Sequence, residues 1–499
     1  MDAEPLYPEP YRLPQPGNGK VPPPTAGTGG AASAVPLGGA GLPQVRVDYQ
    51  AAARLKRQVS ERLLAEHKDN TALVGAAREQ RGRALINEAV TVWADVAGLR
   101  PGGVQPGEEQ ALAGMVFDML FRAGRLQRLL DDPRIDNIYI NGHDNVTVDL
   151  GDDQLVRVEP VADSEEELKE LLRDLARTSG QSERTLSTAN PMLALRLADG
   201  SRLQALGDEI TGERTYVTIR RHRVQDATLK DLIGYGTLDD TLAAFLAACV
   251  RGERNIMIVG EQGSGKTSLL RALLREIPAS ERFGTLETEF ELWAHRNGHH
   301  TQVVPMEARE SNGERVDGRA AGEITLMDLM HKALRMSLTR IVVGEVRGPE
   351  ITALMQALTN GRGGNLCTMH ASGPHVVFDR IAELYLLAQG NFSEALAYRQ
   401  IANGLHFIVF VAVDTTQGGK RRYISHVWEI TGVGEGGRPA YNQVFGPSPA
   451  TGQGWEVPEA RAVALTPPTP ATLRRLKAAG FDPRLLHPGA VHPWLEVGA

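Results

Sequence analysis

Apolar residues recur at helical spacing between Val47 and Val96, at Leu55, Val59, Leu63 and Leu64 and again at Leu85, Ile86, Val90 and Val92. Pro101, Gly102 and Gly103 break this run. A further helix is predicted over 108–120 and a short one over 125–130. The period then changes. Residues 135–142 read as a strand ending in a turn, and 146–149 and 155–158 as two more strands. Ser164 with Glu167 forms a capping box that opens a helix through Leu168, Leu171, Leu172 and Leu175. Strands follow at 193–197, 202–206 and 216–219, with a turn at Asp199-Gly200. Beyond them, 256–259, 283–286, 340–345 and 366–370 are short apolar runs of the kind that fill a buried sheet. The pattern divides the chain into a helical region at 46–109, an α+β domain at 110–225, a linker at 226–240 and a larger α/β domain at 241–431. The Pro- and Gly-rich ends, 1–45 and 432–499, bury too little apolar surface to repay their ordering entropy. They are expected to be a disordered tail and an appendage carrying one short helical pattern.

Composition narrows the function classes. The 499 residues carry a net charge of −7, so a general polyanion binder is disfavoured and no direct nucleic acid binding is expected. Two cysteines, Cys249 and Cys367, exclude a disulfide scaffold and a four-thiolate zinc site. No apolar run is long enough to span a membrane, and no basic stretch leads into an apolar one near Met1. A cytoplasmic, multidomain protein is expected.

The strongest chemical signal is Gly260-Glu261-Gln262-Gly263-Ser264-Gly265-Lys266-Thr267, a Walker A pattern with a strand before it and a helix from Ser268 after it. Glycines let backbone N–H groups curl around phosphates, Lys266 sets a positive charge against them, and the Thr267 hydroxyl is placed to ligate Mg²⁺. ATP and Mg²⁺ are the expected cofactors. The run Ile341-Val342-Val343-Gly344-Glu345 is an apolar strand ending in an acid, the Walker B arrangement, in which Glu345 polarises the attacking water or holds the Mg²⁺ shell. Glu287, Glu289 and Glu291 follow another strand end, and spacing does not choose among them. His370 ends a fourth strand, where it is placed to sense a γ-phosphate; a structural role is the alternative. The polar loop 360–364 precedes that strand, and His295, His299 and His300 read as an exposed loop rather than a zinc site.

Together these segments resemble the type II/IV secretion-system ATPases, and within them the Tad/Flp pilus assembly branch (CpaF-like). Residues 131–142, Pro191-Met192, 196–202, 218–221, the acidic box at 286–292, 333–336, 343–347 and 368–371 follow the family's motif order. The resemblance covers about 50–432. It implies an α/β fold with a RecA-like P-loop NTPase core, preceded by a smaller α+β domain and a helical N-terminal region. It places metal and water-activating work on Glu287, Glu291 and Glu345, with Thr267 as a further metal ligand. It implies that Arg196 and Arg202 reach the phosphates across an interdomain cleft, with Arg220 and Arg221 near the same interface. It also implies a homo-hexameric ring at the cytoplasmic face of the membrane, with integral inner-membrane platform proteins as partners. The activity implied is a cytoplasmic ATPase motor for pilus assembly or secretion. A conjugative type IV transfer ATPase and a slow nucleotide switch are the alternatives. Thr288 departs from the Asp common beside the first box glutamate, Ser337 replaces a usual arginine, and no CxxC pair is present.

Overall fold

The computed structural model describes residues 47–99, 103–151, 154–179, 186–221, 227–309, 315–316, 319–320, 322–360, 363–388, 390, 392–415, 420–447 and 462–487. The predicted tail at 1–45 lies outside these residues, as do 222–226 where the α+β domain meets the linker, 361–362 of the polar loop, and 448–461 and 488–499 of the C-terminal extension.

Helices Tyr49–Asp69, Gly75–Ala97 and Glu108–Phe121 pack around Leu55, Val59, Leu63, Leu85, Ile86, Val90, Leu112 and Val116. The third helix therefore belongs with the first two. Leu112, Val116 and Phe117 form one apolar face turned toward them, so the expected boundary at 109/110 cuts a helix whose partners lie upstream. Buried Arg125 ties the bundle to the small α+β domain: its guanidinium grips both oxygens of Asp163, at 2.6 and 2.7 Å, and lies 3.9 Å from the Tyr49 ring centre.

Strands β1 (Asn137–Asn141), β2 (Val146–Asp149), β3 (Leu155–Val158), β4 (Met192–Arg196), β5 (Arg202–Leu206) and β6 (Tyr216–Arg220) form an antiparallel sheet in the order β3-β2-β1-β6-β5-β4. Burial alternates along most of its strands, as in a sheet with one face on a core. That face is covered by Glu165–Thr178, capped by Ser164, with Leu168, Leu172 and Leu175 turned inward.

The second sheet runs β17-β16-β15-β14-β7-β13-β12-β8-β9. Its strands are β7 (Ile256–Gly260), β8 (Phe283–Glu287), β9 (Val303–Glu307), β12 (Arg340–Val346), β13 (Leu366–His370), β14 (Phe407–Asp414), β15 (Arg421–Val433), β16 (Pro439–Pro447) and β17 (Ala462–Ala464). A small ribbon, β10 (Arg315–Val316) and β11 (Arg319–Ala320), stands apart. The strands from β14 to β9 are parallel, and helices bury both faces. Successive residues of β7 serve opposite cores: Ile256 and Ile258 pack on one side, Met257 and Val259 on the other. The molecule is an α/β protein with a RecA-like sheet-and-helix arrangement, a smaller α+β domain and a helical N-terminal region.

Two expectations need correction. The segment 227–240, expected as a linker, is instead part of the large domain, because Leu229, Leu232 and Leu238 are buried in the core of the large sheet. The extension from 432 is not a separate appendage either. Gly436 and Gly437 turn the chain at φ +65° and +81°, and β16 and β17 then extend the sheet. Leu476, Phe481 and Leu486 enter the same core, with the Phe481 ring 5.5 Å from Phe245, which also meets Phe407 and Phe445. The turn-forming glycines and prolines had masked this hairpin. Phe481→Ala is expected to destabilise the large domain by about 3 kcal/mol, read as a lowered urea midpoint of its unfolding transition. An unchanged midpoint would show that the segment is not part of the core.

Candidate nucleotide site

The groups singled out from the sequence lie at the carboxyl ends of four adjacent parallel strands, β7, β13, β12 and β8. This is the edge where open α/β sheets bind ligands. The phosphate loop leaves β7, His370 ends β13, Glu345 lies near the end of β12 and Glu287 ends β8. Gly263 and Gly265 adopt φ of +73° and +99°, in the left-handed region that glycine enters freely. The helix Lys266–Leu274 starts on Gly265, which brings no capping side chain, so the N–H groups of its first turn face the loop. Ser264 is fully buried, while Glu261, Gln262, Gly263 and Ser268 are exposed.

Lys266 is buried at 6% exposure, and its ammonium donates to the carbonyls of Gly260 at 3.2 Å and Glu261 at 2.8 Å. It also lies 3.1 Å from His370 Nδ1. An ammonium has only protons to give, so Nδ1 accepts and the ring proton is assigned to Nε2, which sits 2.6 Å from Glu345 Oε1. The other Glu345 oxygen is 2.5 Å from Arg347 Nη2. A line of polar groups thus runs from the Walker lysine through His370 to Glu345 and Arg347. Burial, followed by the charge of Lys266, holds the His370 imidazole below its ordinary range.

Burial lowers the Lys266 pKa to about 8, against a smaller opposing pull from Glu345. A bound anion favours the charged ammonium and raises that pKa, so nucleotide binding takes up a proton when the free protein is partly deprotonated. At pH 8 about half a proton should be taken up per nucleotide bound, and affinity should weaken as pH rises above 8. Calorimetry in two buffers of different ionisation enthalpy measures this; zero uptake at pH 8 would refute it.

Glu287 and Glu291 separate into two roles. Glu287 is 2% exposed, and its Oε2 accepts from the amides of Glu291 at 2.7 Å and Leu292 at 2.8 Å. It holds the acidic loop in place, and burial raises its pKa. Glu291 touches the loop's helix: Thr267 Oγ1 donates to its Oε2 at 3.3 Å, and Arg271 Nε donates to its backbone carbonyl at 2.9 Å. Among the described residues, no group of three His, Cys, Asp or Glu side chains could hold a metal ion. The oxygen-only donors around Thr267 do suit Mg²⁺, which takes one or two protein ligands and completes its shell with phosphate oxygens and water. The glycine-lined loop, the buried lysine and the open helix terminus fit a nucleotide's phosphates.

The small sheet supplies the opposite wall. Arg196 and Arg202 are register partners across the β4–β5 hairpin, whose tight turn carries Gly200 at φ +88°. Both therefore sit at the same end of the sheet. Arg202 pairs with Glu289 and, at 3.0 Å, with Glu291; Arg196 pairs with Glu307 and lies over the rings of Phe290 and Trp293. A cleft of about 610 Å³ runs between the sheets, lined by Arg196, Arg202, Thr288, Glu289, Glu307 and Arg347 among others. In this state the two arginines meet the acidic box itself.

Arg220 is exposed and within electrostatic reach of Arg271, whose pKa burial lowers. Arg221 is turned inward instead: its guanidinium donates to the backbone carbonyls of Asp132 and Ile135, at 3.2 Å for the latter. It fastens the strand opening of its own domain and does not face the cleft, because side chains alternate along β6 and beyond. The predicted exposed histidine loop is also revised: His300 is 6% exposed, and its Nε2 lies 2.9 Å from the Leu274 carbonyl oxygen. Cys249 and Cys367 are fully buried, and burial raises the pKa of both thiols. Sequence reasoning missed Glu307, Arg271 and Arg347. Glu307 ends the strand 303–307, whose Pro305 weakened the strand signal; as an edge strand, β9 tolerates the missing N–H.

Residues 123–412, more than half of the chain, match the family model for type II/IV secretion system proteins. The chain belongs to that family. It is 32% identical over 324 residues to a Mycobacterium tuberculosis protein whose name assigns it, provisionally, to conjugal transfer; the match covers 63% of this chain and 87% of the relative. It is 29% identical over 347 residues to the type IV secretion system protein VirB11 of Brucella suis, covering 64% and 92% of the two chains. Among solved structures it resembles the B. suis VirB11 ATPase in complex with sulphate, at 26% identity and a TM-score of 0.32, over 61% of this chain and 92% of that one. The chain is an ATP hydrolase of this family. No helix among the described residues is long and apolar enough to cross a membrane.

Proposed function

We propose that this protein is the ATPase motor of a conjugative or type IV secretion machine, working as a hexameric ring at the cytoplasmic face of a membrane. One observation carries the reading: Glu291, which accepts from Thr267 of the phosphate loop, is met from the other sheet by Arg202, with Arg196 beside it on Glu307. Its likeness to the conjugal transfer protein and to VirB11 supports the choice of machine. Bound Mg²⁺·ATP supplies the phosphoanhydride and a divalent charge beside it. Lys266 exchanges its carbonyl and His370 contacts for phosphate oxygens. Glu345 is freed from His370 Nε2 and orients a water, taking its proton as the water oxygen bonds to the γ-phosphorus and the bond from that phosphorus to the departing ADP oxygen breaks. Thr267 and Glu291 would hold the cation on its protein side, and Glu287 keeps the acidic loop in place. Arg202 and Arg196 leave Glu291 and Glu307 for the developing phosphate charge, which draws the sheets together. Loss of phosphate returns them to the carboxylates, and this exchange of ion-pair partners is the working stroke.

A Tad/Flp pilus motor is the second reading, favoured by the order of motifs from Asp131 to Ala371. The two are separated by adding the cytoplasmic domains of either a type IV secretion channel or a pilus platform to the full chain. We expect light scattering to show a species of about six subunits with a non-hydrolysable ATP analogue, and turnover to rise with the secretion components. Stimulation by the pilus platform alone would select the second reading. A monomer under every condition, with no stimulation by either set, would refute the motor.

A further inference from the structure

One contact to the phosphate loop comes from far along the chain. β14 pairs with β7 so that Val411 lies opposite Gly260, the residue at which the loop begins. Two residues further on, Val413 lies opposite Arg422 of β15, which carries Arg422 past the end of β7 and over the loop. Arg422 Nε donates to the Gly263 carbonyl at 2.9 Å. Its stem closes over the neighbouring turn, since a Cβ placed on Gly265 would stand 3.2 Å from Arg422 Cδ. Ser264, between these two glycines, is fully buried, and among the described residues its hydroxyl has no hydrogen-bond partner.

A trans peptide points its C=O and the following N–H to opposite sides. Holding the Gly263 oxygen outward therefore turns the Ser264 N–H inward, where it meets the Glu261 carbonyl at 3.3 Å. The Lys266 ammonium donates to that same oxygen at 2.8 Å. Two donors thus converge on one point inside the loop.

We propose that Arg422 is a positioning residue for nucleotide binding: it pins the Gly263–Ser264 peptide from outside, so that the Ser264 N–H and Lys266 face the phosphates. The inference rests on the loop being the nucleotide site, and its test separates the two claims. In the full-length, nucleotide-free protein, amide hydrogen exchange across 260–267 is compared between wild type, Arg422→Met, which keeps the bulk and loses the donor, and Arg422→Lys, which restores one. A fluorescent ADP analogue is titrated into each, and KM and kcat for ATP are measured. Arg422→Met is expected to exchange about tenfold faster in this segment and to bind the analogue about tenfold more weakly, the scale of one charge-assisted hydrogen bond. KM should rise in step, with kcat within about twofold and the melting temperature unchanged. Arg422→Lys should recover most of the loss. Wild-type exchange and affinity in Arg422→Met would overturn the proposal. So would an Arg422→Lys protein as impaired as Arg422→Met, with both melting early, which is the mark of lost packing alone. Failure of the wild type to bind the analogue would refute the nucleotide site itself, and this inference with it.

Discussion

Glu345→Gln is expected to lower ATP turnover by about 10²-fold or more while leaving nucleotide affinity nearly intact. The substitution keeps the side chain's shape, its contact with His370 and its place near the end of β12. What it removes is the negative charge and the basicity that a general base or water-positioning group requires. Loss of that charge also relieves repulsion toward incoming phosphates, so binding has no reason to weaken. The neighbours sharpen the expectation. Arg347 is held by Glu345, and its pKa is raised chiefly by that hydrogen bond. In Glu345→Gln, Arg347 loses its anion and becomes free to attract phosphate. Calorimetry and phosphate release measured in parallel check this; equal turnover in the two proteins would exclude the role assigned to Glu345.

Lys266→Ala should act on binding first. Its ammonium makes the buried contacts of the loop, and losing a charge-assisted bond of this kind costs about 1.5–3 kcal/mol, roughly a ten- to hundredfold drop in affinity. The variant should remain folded. Burial already disfavours the charged lysine, as its lowered pKa shows, and the helix it opens is anchored by Leu269, Leu270 and Leu273. Fluorescent nucleotide titration together with a melting curve separates loss of the site from loss of the fold. Wild-type affinity would remove Lys266 from the site.

The parts of this site that were legible in the sequence are the local ones. The phosphate loop declares itself because strand, glycines, lysine and helix follow one another within a dozen residues, and Glu345 and His370 because they lie near and at the ends of short apolar strands. What the sequence concealed depends on strand order. Glu307 meets Arg196, and Arg422 reaches Gly263, only because β9 lies beside β8 and β14 beside β7. The difference between adjacent Arg220 and Arg221 comes from the alternation of side chains at the end of β6, which a motif of two arginines does not express. The C-terminal strands were hidden for another reason. Glycine and proline mark turns and strand ends as readily as disorder, and the residues that anchor the segment, Phe445, Leu476 and Phe481, are too few and too widely spaced to show a period.

In the mechanism we propose, hydrolysis is completed across the cleft, by arginines of the small sheet acting on a nucleotide held by the large one. Phosphate release by full-length Arg202→Ala tests it most directly, with nucleotide affinity measured on the same preparation. Arg202 now sits against Glu291, 3.0 Å away, and removing it leaves the phosphate loop untouched. Turnover is expected to fall by about 10³-fold or more, the scale of a lost transition-state cation, with nucleotide still bound. Wild-type turnover in Arg202→Ala would show that the large sheet hydrolyses ATP alone, and would contradict it.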